Sequence, residues 1–585
     1  MRKVLSLTLA VLMLLSLLAG CGNKPAEITP STPAKTDVPV PTEEASPYHY
    51  PIGKYEKNEA GYPASKYVYE TPICTNDEIL TKWTTCYTPQ YIPSGGWDSI
   101  PTWKGVREYT GVHIEYNIVD SANRSQNFSV LLASDALDEI CDQGAYFYQG
   151  GSLKDAVEDG YFVNLYPYRD YMPCYLYEAY TRSLSDKDVM SRIYYDKETI
   201  ISLTGMIVEP APGMGYFVRE DWLREMNLGS AAEIKTYAQL HDVLLAMKRQ
   251  YSSATREIFP FFINNCVENA PGCFFGGFGT AVYTTRMSYM RVNQDVVEFC
   301  GTTEDDRDAM TLLSTWYSEG LISPNFQAFV PGEDYDAGAN TNGLGCNLMP
   351  PSAWLNTEAQ GKLYDPDCQW EPITRPKKTS DQILQYGGGN GGGFHYGSAV
   401  ISGNCHNIPL AVSWLDWWMS ETGSEWTSWG PEGENDKSVG FLWYYNENAE
   451  RRLTDWCMNN EAGMAWIMCL YGCNGLVEFC LQIHKRNYAF DGGERSLACF
   501  EFWEEPDYEG KLAWPSAVKL SDEESAEAAS ILSDLNTYYV ENYAAFVDGS
   551  KPMSSWDSYL KNLNSFGYQR LREIYQAAYD RYLAE

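Results

Sequence analysis

Two kinds of side chain in this sequence can act on another molecule: carboxylates, which are spread throughout, and aromatic rings, which are abundant. Trp97 and Asp98 stand together behind Gly95-Gly96 on a loop that follows a strand-like run. Arg219 stands where a second strand-like run turns into a helix. The chain has 44 tyrosines, 18 tryptophans and 21 phenylalanines. A sugar ring offers apolar C–H faces and a polar rim. Trp and Tyr stack on the faces, while Asp, Glu, Asn and Arg hydrogen-bond the rim.

Covalent chemistry has no comparable signal. HExxH, a P-loop, a GxGxxG after a strand and a GxSxG elbow are all absent. Cys405-His406 is a thiol beside an imidazole, but no third group to orient it is identifiable, so a surface loop is the better reading. Six dispersed histidines do not supply a zinc or manganese site. Carboxylates are numerous enough that a glycosidase pair stays open. A net charge of −35 argues against nucleic acid or anionic lipid as a partner, since both need a basic surface, and mildly disfavours strongly anionic ligands unless a local basic cleft overrides it.

The elements that must hold these groups alternate. Ile79 to Tyr87 reads as a first strand, and Pro101 starts a helix carrying Trp103, Val106 and Tyr109. Thr110-Gly111 ends it, and Val112 to Val119 alternates as a second strand. Phe128, Leu131 and Leu132 lie on a helix, and 133–140 runs from a helix end into a buried strand. That order implies a largely parallel sheet with ligand at the carboxyl ends of its strands. The stretch Gly215 to Leu228 organises the rest. Tyr216 to Val218 is β-prone, Asp221 stands at an expected N-cap, and Gly229 ends the helix. Tyr237 to Tyr251, Glu304 to Gly320 and a helix started by Asn407 and Pro409 follow, with a strand at Ala399 to Ser402.

At the amino terminus Arg2 and Lys3 precede an apolar run, Val4 to Leu18, too short to span a bilayer, and the run closes Leu18-Ala19-Gly20-Cys21. This matches the bacterial lipobox, in which the cysteine is diacylated and becomes the new terminus. Six prolines between 25 and 47 make an extended tether. Of 16 cysteines, Cys21 is taken by the lipid. The odd remainder shows no CxxC spacing and is expected as mostly buried free thiols with one or two disulfides.

Several phrases resemble bacterial extracellular solute-binding lipoproteins of ABC transporters, in their large carbohydrate-binding subgroup. They are "YFVREDWLREMNL" at the crossover, "WKGVREYTGVHIEY", "ASDALDEI", the 304–325 stretch, 410–435 and 538–582. The resemblance implies a two-lobed, periplasmic-binding-protein-like α/β fold, each lobe a mainly parallel sheet flanked by helices, with the ligand cleft at the hinge. It divides the chain into a signal peptide (1–21), a tether (22–47), lobe one (48–215 plus about 375–445) and lobe two (216–374 plus about 446–585). It implies a monomeric, non-enzymatic receptor without cofactor, anchored through Cys21 on the outer face of the cell membrane, that passes an oligosaccharide to ABC permease subunits. An oligopeptide receptor and a surface glycoside hydrolase are the alternatives. By the same resemblance the ligand-binding residues are Trp97, Asp98, Asp142, Tyr146, Arg219, Trp354 as a stacking ring, Trp429 and Glu432. For Trp97, Asp98, Asp142 and Tyr146 a structural or solvated role weighs equally, and for Arg219 a structural ion pair weighs slightly more. The glycine-rich run 387–397, with Phe394 and His395, could line the cleft, although a lone histidine in a glycine loop is more often just solvated. Some large members carry a calcium loop where this chain reads Tyr251 to Pro260. Its oxygen ligands are missing here, so no calcium is expected.

Overall fold

A computed structural model of the chain describes residues 46–186, 188–206, 215–263, 274–281, 290–328, 341–385, 394–472, 483–503, 511–515 and 517–584. Cys21, the tether up to residue 45 and positions 387–393 of the glycine-rich run lie outside the described residues.

The first sheet is built from β1 (Ile79–Cys86), β2 (His113–Asp120), β3 (Ile140–Asp142) and β4 (Leu203–Met206), with β10 (Phe394–Ile401) inserted late, in the order β2-β1-β3-β10-β4. β1 runs parallel to both neighbours, pairing Leu80 with Ile114 and Trp83 with Cys141. Its last five residues are all buried, as expected of a strand covered on both faces. β10 runs antiparallel to β3 and β4.

The second sheet has the order β8-β5-β9, from β5 (Gly215–Arg219), β8 (Cys346–Met349) and β9 (Trp370–Pro372). Here the pairing differs from the expected parallel arrangement, because β5 is antiparallel to both neighbours. Among the described residues, parallel pairing in this region consists of single bridges from Phe261 to Ile322 and Cys346 and from Lys377 to Thr236 and Gly277. The reason is topological. β5 and β10 each enter their sheet from the other one, so each runs against the strands that loop back within that sheet. β6 (Met290–Asn293) with β7 (Val296–Phe299), and β11 (Trp443–Tyr445) with β12 (Arg451–Leu453), are two-stranded hairpins. Gln294 and Asp295 turn the first hairpin with φ of 50° and 62°, the positive values a tight hairpin turn needs.

Helix starts follow local chemistry. Thr236 and Gln239 form a capping box on Tyr237–Tyr251, and Thr303 and Asp306 form another on Glu304–Ser318. Gly111, at φ 70°, donates its N–H to Arg107 and closes Pro101–Thr110. At the strand-to-helix junction the cap differs from expectation. Arg219 is the N-cap, the helix is Glu220–Met226, and Asn227 at φ 55° ends it. Asp221 sits in the first turn because its carboxylate is held by the Arg219 guanidinium.

The first core gathers Trp83, Phe128, Phe147, Phe162 and Val400 around the first sheet. The second is larger and joins Trp222, Phe261, Phe274, Trp316, Leu535, Trp556 and Leu571. Past residue 446 the chain still bonds the helix Pro101–Thr110 that follows β1. Trp103 Nε1 donates to the Leu470 carbonyl at 3.3 Å, and Thr102 to that of Tyr471. Contacts with the second sheet resume at Gly493–Trp503, where Ser496 Oγ bonds the Pro351 carbonyl and Trp503 Nε1 the Ile373 carbonyl. The bulky apolar pattern of 455–471 suits either core, so the sequence does not mark this boundary.

Candidate functional site

The carboxyl ends of β1, β2 and β3 form one edge of the first sheet, and three large rings stand exposed there. Tyr87 directly follows β1 and is 38% exposed. Tyr146 follows β3 and is 70% exposed. Trp466, from the helix Met464–Tyr471, is 47% exposed. Such rings cost solvation unless a partner covers them. Tyr87 and Trp466 lie 5.6 Å apart at 36°. Arg124 opens the helix Arg124–Ala133 after β2. Its guanidinium lies 5.8 Å from the Tyr87 ring and 5.8 Å from Phe147, and its Nη1 donates to the Tyr87 hydroxyl at 3.1 Å. Phe147 in turn makes an edge contact with Tyr146 at 5.2 Å.

Three residues beyond Tyr146, hence within about 11 Å, Gln149 borders a cavity of about 1120 Å³. One wall is Ser152, Leu153, Ser191, Tyr195 and Thr204 from around the first sheet. The other is Lys519, Leu520 and Ser525, which lead into the helix Asp522–Val547 that packs in the second core. Lys519 Nζ spans the two walls, donating to the carbonyls of Tyr194 at 2.7 Å and Tyr195 at 2.8 Å. Hydroxyls interleaved with aliphatic surface suit a polyhydroxylated solute, and the volume lies at the upper end of small-molecule sites.

The residues expected from sequence are distributed differently. Of the eight, Tyr146 alone lies in this aromatic cluster. Trp97 is buried against Trp103 and Tyr116, with ring centroids at 5.7 and 5.9 Å. Asp98 faces His113 Nε2 at 3.4 Å. Asp142 is buried with Lys82 Nζ at 3.1 Å, and that ammonium also lies over the Trp414 ring. Trp354 is buried, donates its indole N–H to the Trp370 carbonyl at 2.7 Å and lies under Arg495. It borders a hollow of about 390 Å³ beside the second sheet. Trp429 is buried against Trp443 with Arg451 over its face, and Glu432 is exposed and bridges to Trp443.

Arg219 is wholly buried. It grips Asp221 with Nε and Nη2, bonds Asp365 at 2.9 Å and Asn342, and stacks on Trp222 at 4.5 Å. Burial opposes its charge, but the Asp221 and Asp365 carboxylates hold its pKa above the ordinary arginine value. This is a structural pairing.

Sequence reasoning missed Tyr87, Arg124 and Trp466. A signal existed for the first two, since Tyr87 is the last residue of the predicted strand Ile79 to Tyr87 and Arg124 lies five residues beyond the end of the next, Val119. None existed for Trp466, whose helix is apolar throughout.

The Cys405-His406 pair is no dyad. Burial pushes the Cys405 thiol up to about 12. His406 bonds Glu139 through Nδ1 and Glu78 through Nε2 at 3.1 Å. Of the eleven described cysteines, ten are buried. Where a calcium loop was considered, Lys248 Nζ bonds Glu257 at 3.0 Å and the Gly320 carbonyl at 2.7 Å. Among the described residues no helix is long and apolar enough to cross a membrane.

No protein-family model and no curated protein matches this chain. Solved structures do match in fold. The S. pneumoniae ABC-transporter substrate-binding protein FusA in complex with kestose superposes with a TM-score of 0.65 at 17% identity, over 87% of this chain and 100% of that one. An HMO-binding, ABC-transporter-associated solute-binding protein from Bifidobacterium longum infantis gives 0.65 at 17%, over 87% and 99%. The alginate-binding protein AlgQ2, without calcium ion, gives 0.60 at 18%, over 86% and 98%. The fold is therefore that of two-domain solute-binding proteins, an α/β architecture of mixed sheets.

Proposed function

We propose that the protein is an extracellular solute-binding receptor, lipid-anchored through Cys21 and held off the membrane by residues 22–47, that hands an oligosaccharide to an ABC importer. It acts as a monomer and without chemistry. It captures the solute between two lobes, and the closed state gains only from contacts the solute makes with both. The observation that carries the reading is the exposed set Tyr87, Tyr146 and Trp466 at the carboxyl edge of the first sheet, beside a cavity walled by residues around that sheet and by Lys519, Leu520 and Ser525. Stacking rings with hydroxyl neighbours suit sugar better than peptide, which needs fixed charges for its two termini. The solved structures of the same fold, one in complex with kestose, one named as HMO-binding and one as alginate-binding, support the solute class.

The test is thermal unfolding of the purified chain against oligosaccharides, oligopeptides and metal ions. At one hundred times its dissociation constant a ligand adds about 2.7 kcal/mol. A midpoint shift with a glycan that stays intact by chromatography is expected. A shortened glycan would move the reading to a hydrolase, and a shift with peptide alone would replace the sugar.

A further inference from the structure

Arg124 sits among the exposed rings, and no described carboxylate pairs with it. Other arginines are neutralised by carboxylates: Arg219 by Asp221 and Asp365, Arg291 by Glu298 and Asp305, Arg495 by Glu358 and Glu371. Among the described residues no carboxylate pairs with Arg124, and its single hydrogen bond is to the Tyr87 hydroxyl. The acidic groups on the same edge are engaged elsewhere. Asp120 turns its Oδ1 to the Ala122 N–H at 2.8 Å, and Asp142 is buried with Lys82.

We propose that Arg124 reads an acidic sugar unit, so that the solute is an oligosaccharide carrying a uronic-acid-type carboxylate. This rests on the oligosaccharide reading above. The guanidinium is planar, weakly hydrated and already flanked by Tyr87 and Phe147. Seating a carboxylate in its open fork therefore costs little desolvation and gives two parallel charge-assisted bonds. The ring bearing the carboxylate then lies against Tyr87 or Trp466. The net charge of −35 acts on an anionic solute at long range, but physiological salt screens it beyond about 8 Å. Contact chemistry at Arg124 therefore decides affinity, and the residual repulsion makes association faster as salt rises, until screening is complete.

The test is calorimetry on the full chain with matched pairs: trimeric galacturonate against its methyl ester, trimeric glucuronate against its carboxyl-reduced form, and sialyllactose against lactose. At least one acidic member is expected to bind about tenfold or more tighter than its neutral partner. Arg124→Gln should erase that difference, and Arg124→Lys, which keeps charge but not the fork, should restore part of it. The unfolding midpoint of each variant shows that the fold is intact. Neutral members binding as well as acidic ones would overturn the acidic-sugar inference and leave the oligosaccharide receptor standing. No response to any glycan, with a response to peptide, would overturn both.

Discussion

Tyr87 and Trp466 face each other at 5.6 Å although one directly follows the first strand of the chain and the other lies on a helix deep in its second half. Both rings are substantially exposed, so their pairing is a surface feature and not core packing. Trp466→Ala should weaken glycan binding about tenfold, the worth of one aromatic stacking partner, while moving the unfolding midpoint little. Calorimetry with the responding glycan checks this. Unchanged affinity would remove the ring pair from the site.

Arg219 behaves oppositely. Fully buried, it holds two carboxylates at the junction between β5 and its helix. Arg219→Met leaves Asp221 buried without its partner and should cost about 3–5 kcal/mol in urea unfolding. Arg219→Lys should recover little, since an ammonium cannot reproduce the two-pronged grip. Loss of binding with undiminished stability would return Arg219 to the ligand site.

His406 should give the fold a pH dependence. Burial opposes its charge, but Glu139 and Glu78 prevail and raise its pKa above 6.5. A raised folded-state pKa means the folded protein binds the proton more tightly. The stabilisation is thus full below about pH 6.5 and fades as pH rises through the higher folded value. The midpoint of the native chain should fall more steeply than that of His406→Gln between pH 6.5 and 8.5. The side chain is half exposed, so the difference is small. Parallel curves would show that the two glutamates do not hold the imidazolium.

Cys405 should be inert in the folded state. Its thiol is buried and pushed up to about 12, so almost no thiolate forms at neutral pH. Iodoacetamide at pH 7.5 should leave Cys405 unlabelled in the native protein and label it after unfolding, read by peptide mass spectrometry. Fast native labelling would reopen the dyad with His406.

Much of the architecture was written in local signals. β1, β2 and the helix Pro101–Thr110 follow from apolar alternation, a proline start and a glycine stop. Tyr237–Tyr251 follows from its Thr236 cap. The direction of β5 did not, because antiparallel pairing is fixed by where the chain has come from and not by its side chains. The site was less legible. Trp97, Trp354 and Trp429 are chemically as fit to stack on sugar as Trp466, and only tertiary packing buries the first three and leaves the last in solvent. Asp221 read as a cap because Asp is a good one, and Arg219 two residues away outbid the helix for its carboxylate.

The late insertion of β10 between β3 and β4 has a consequence for biogenesis. As the chain emerges from its amino terminus, β4 has no partner in the described sheet, and β3 has one bare side, until residue 401 is free. For about two-thirds of synthesis the first sheet is thus an unfinished template with two strand borders open to stray pairing. Correct assembly depends on holding that half-built surface apart from its neighbours until the missing strand arrives.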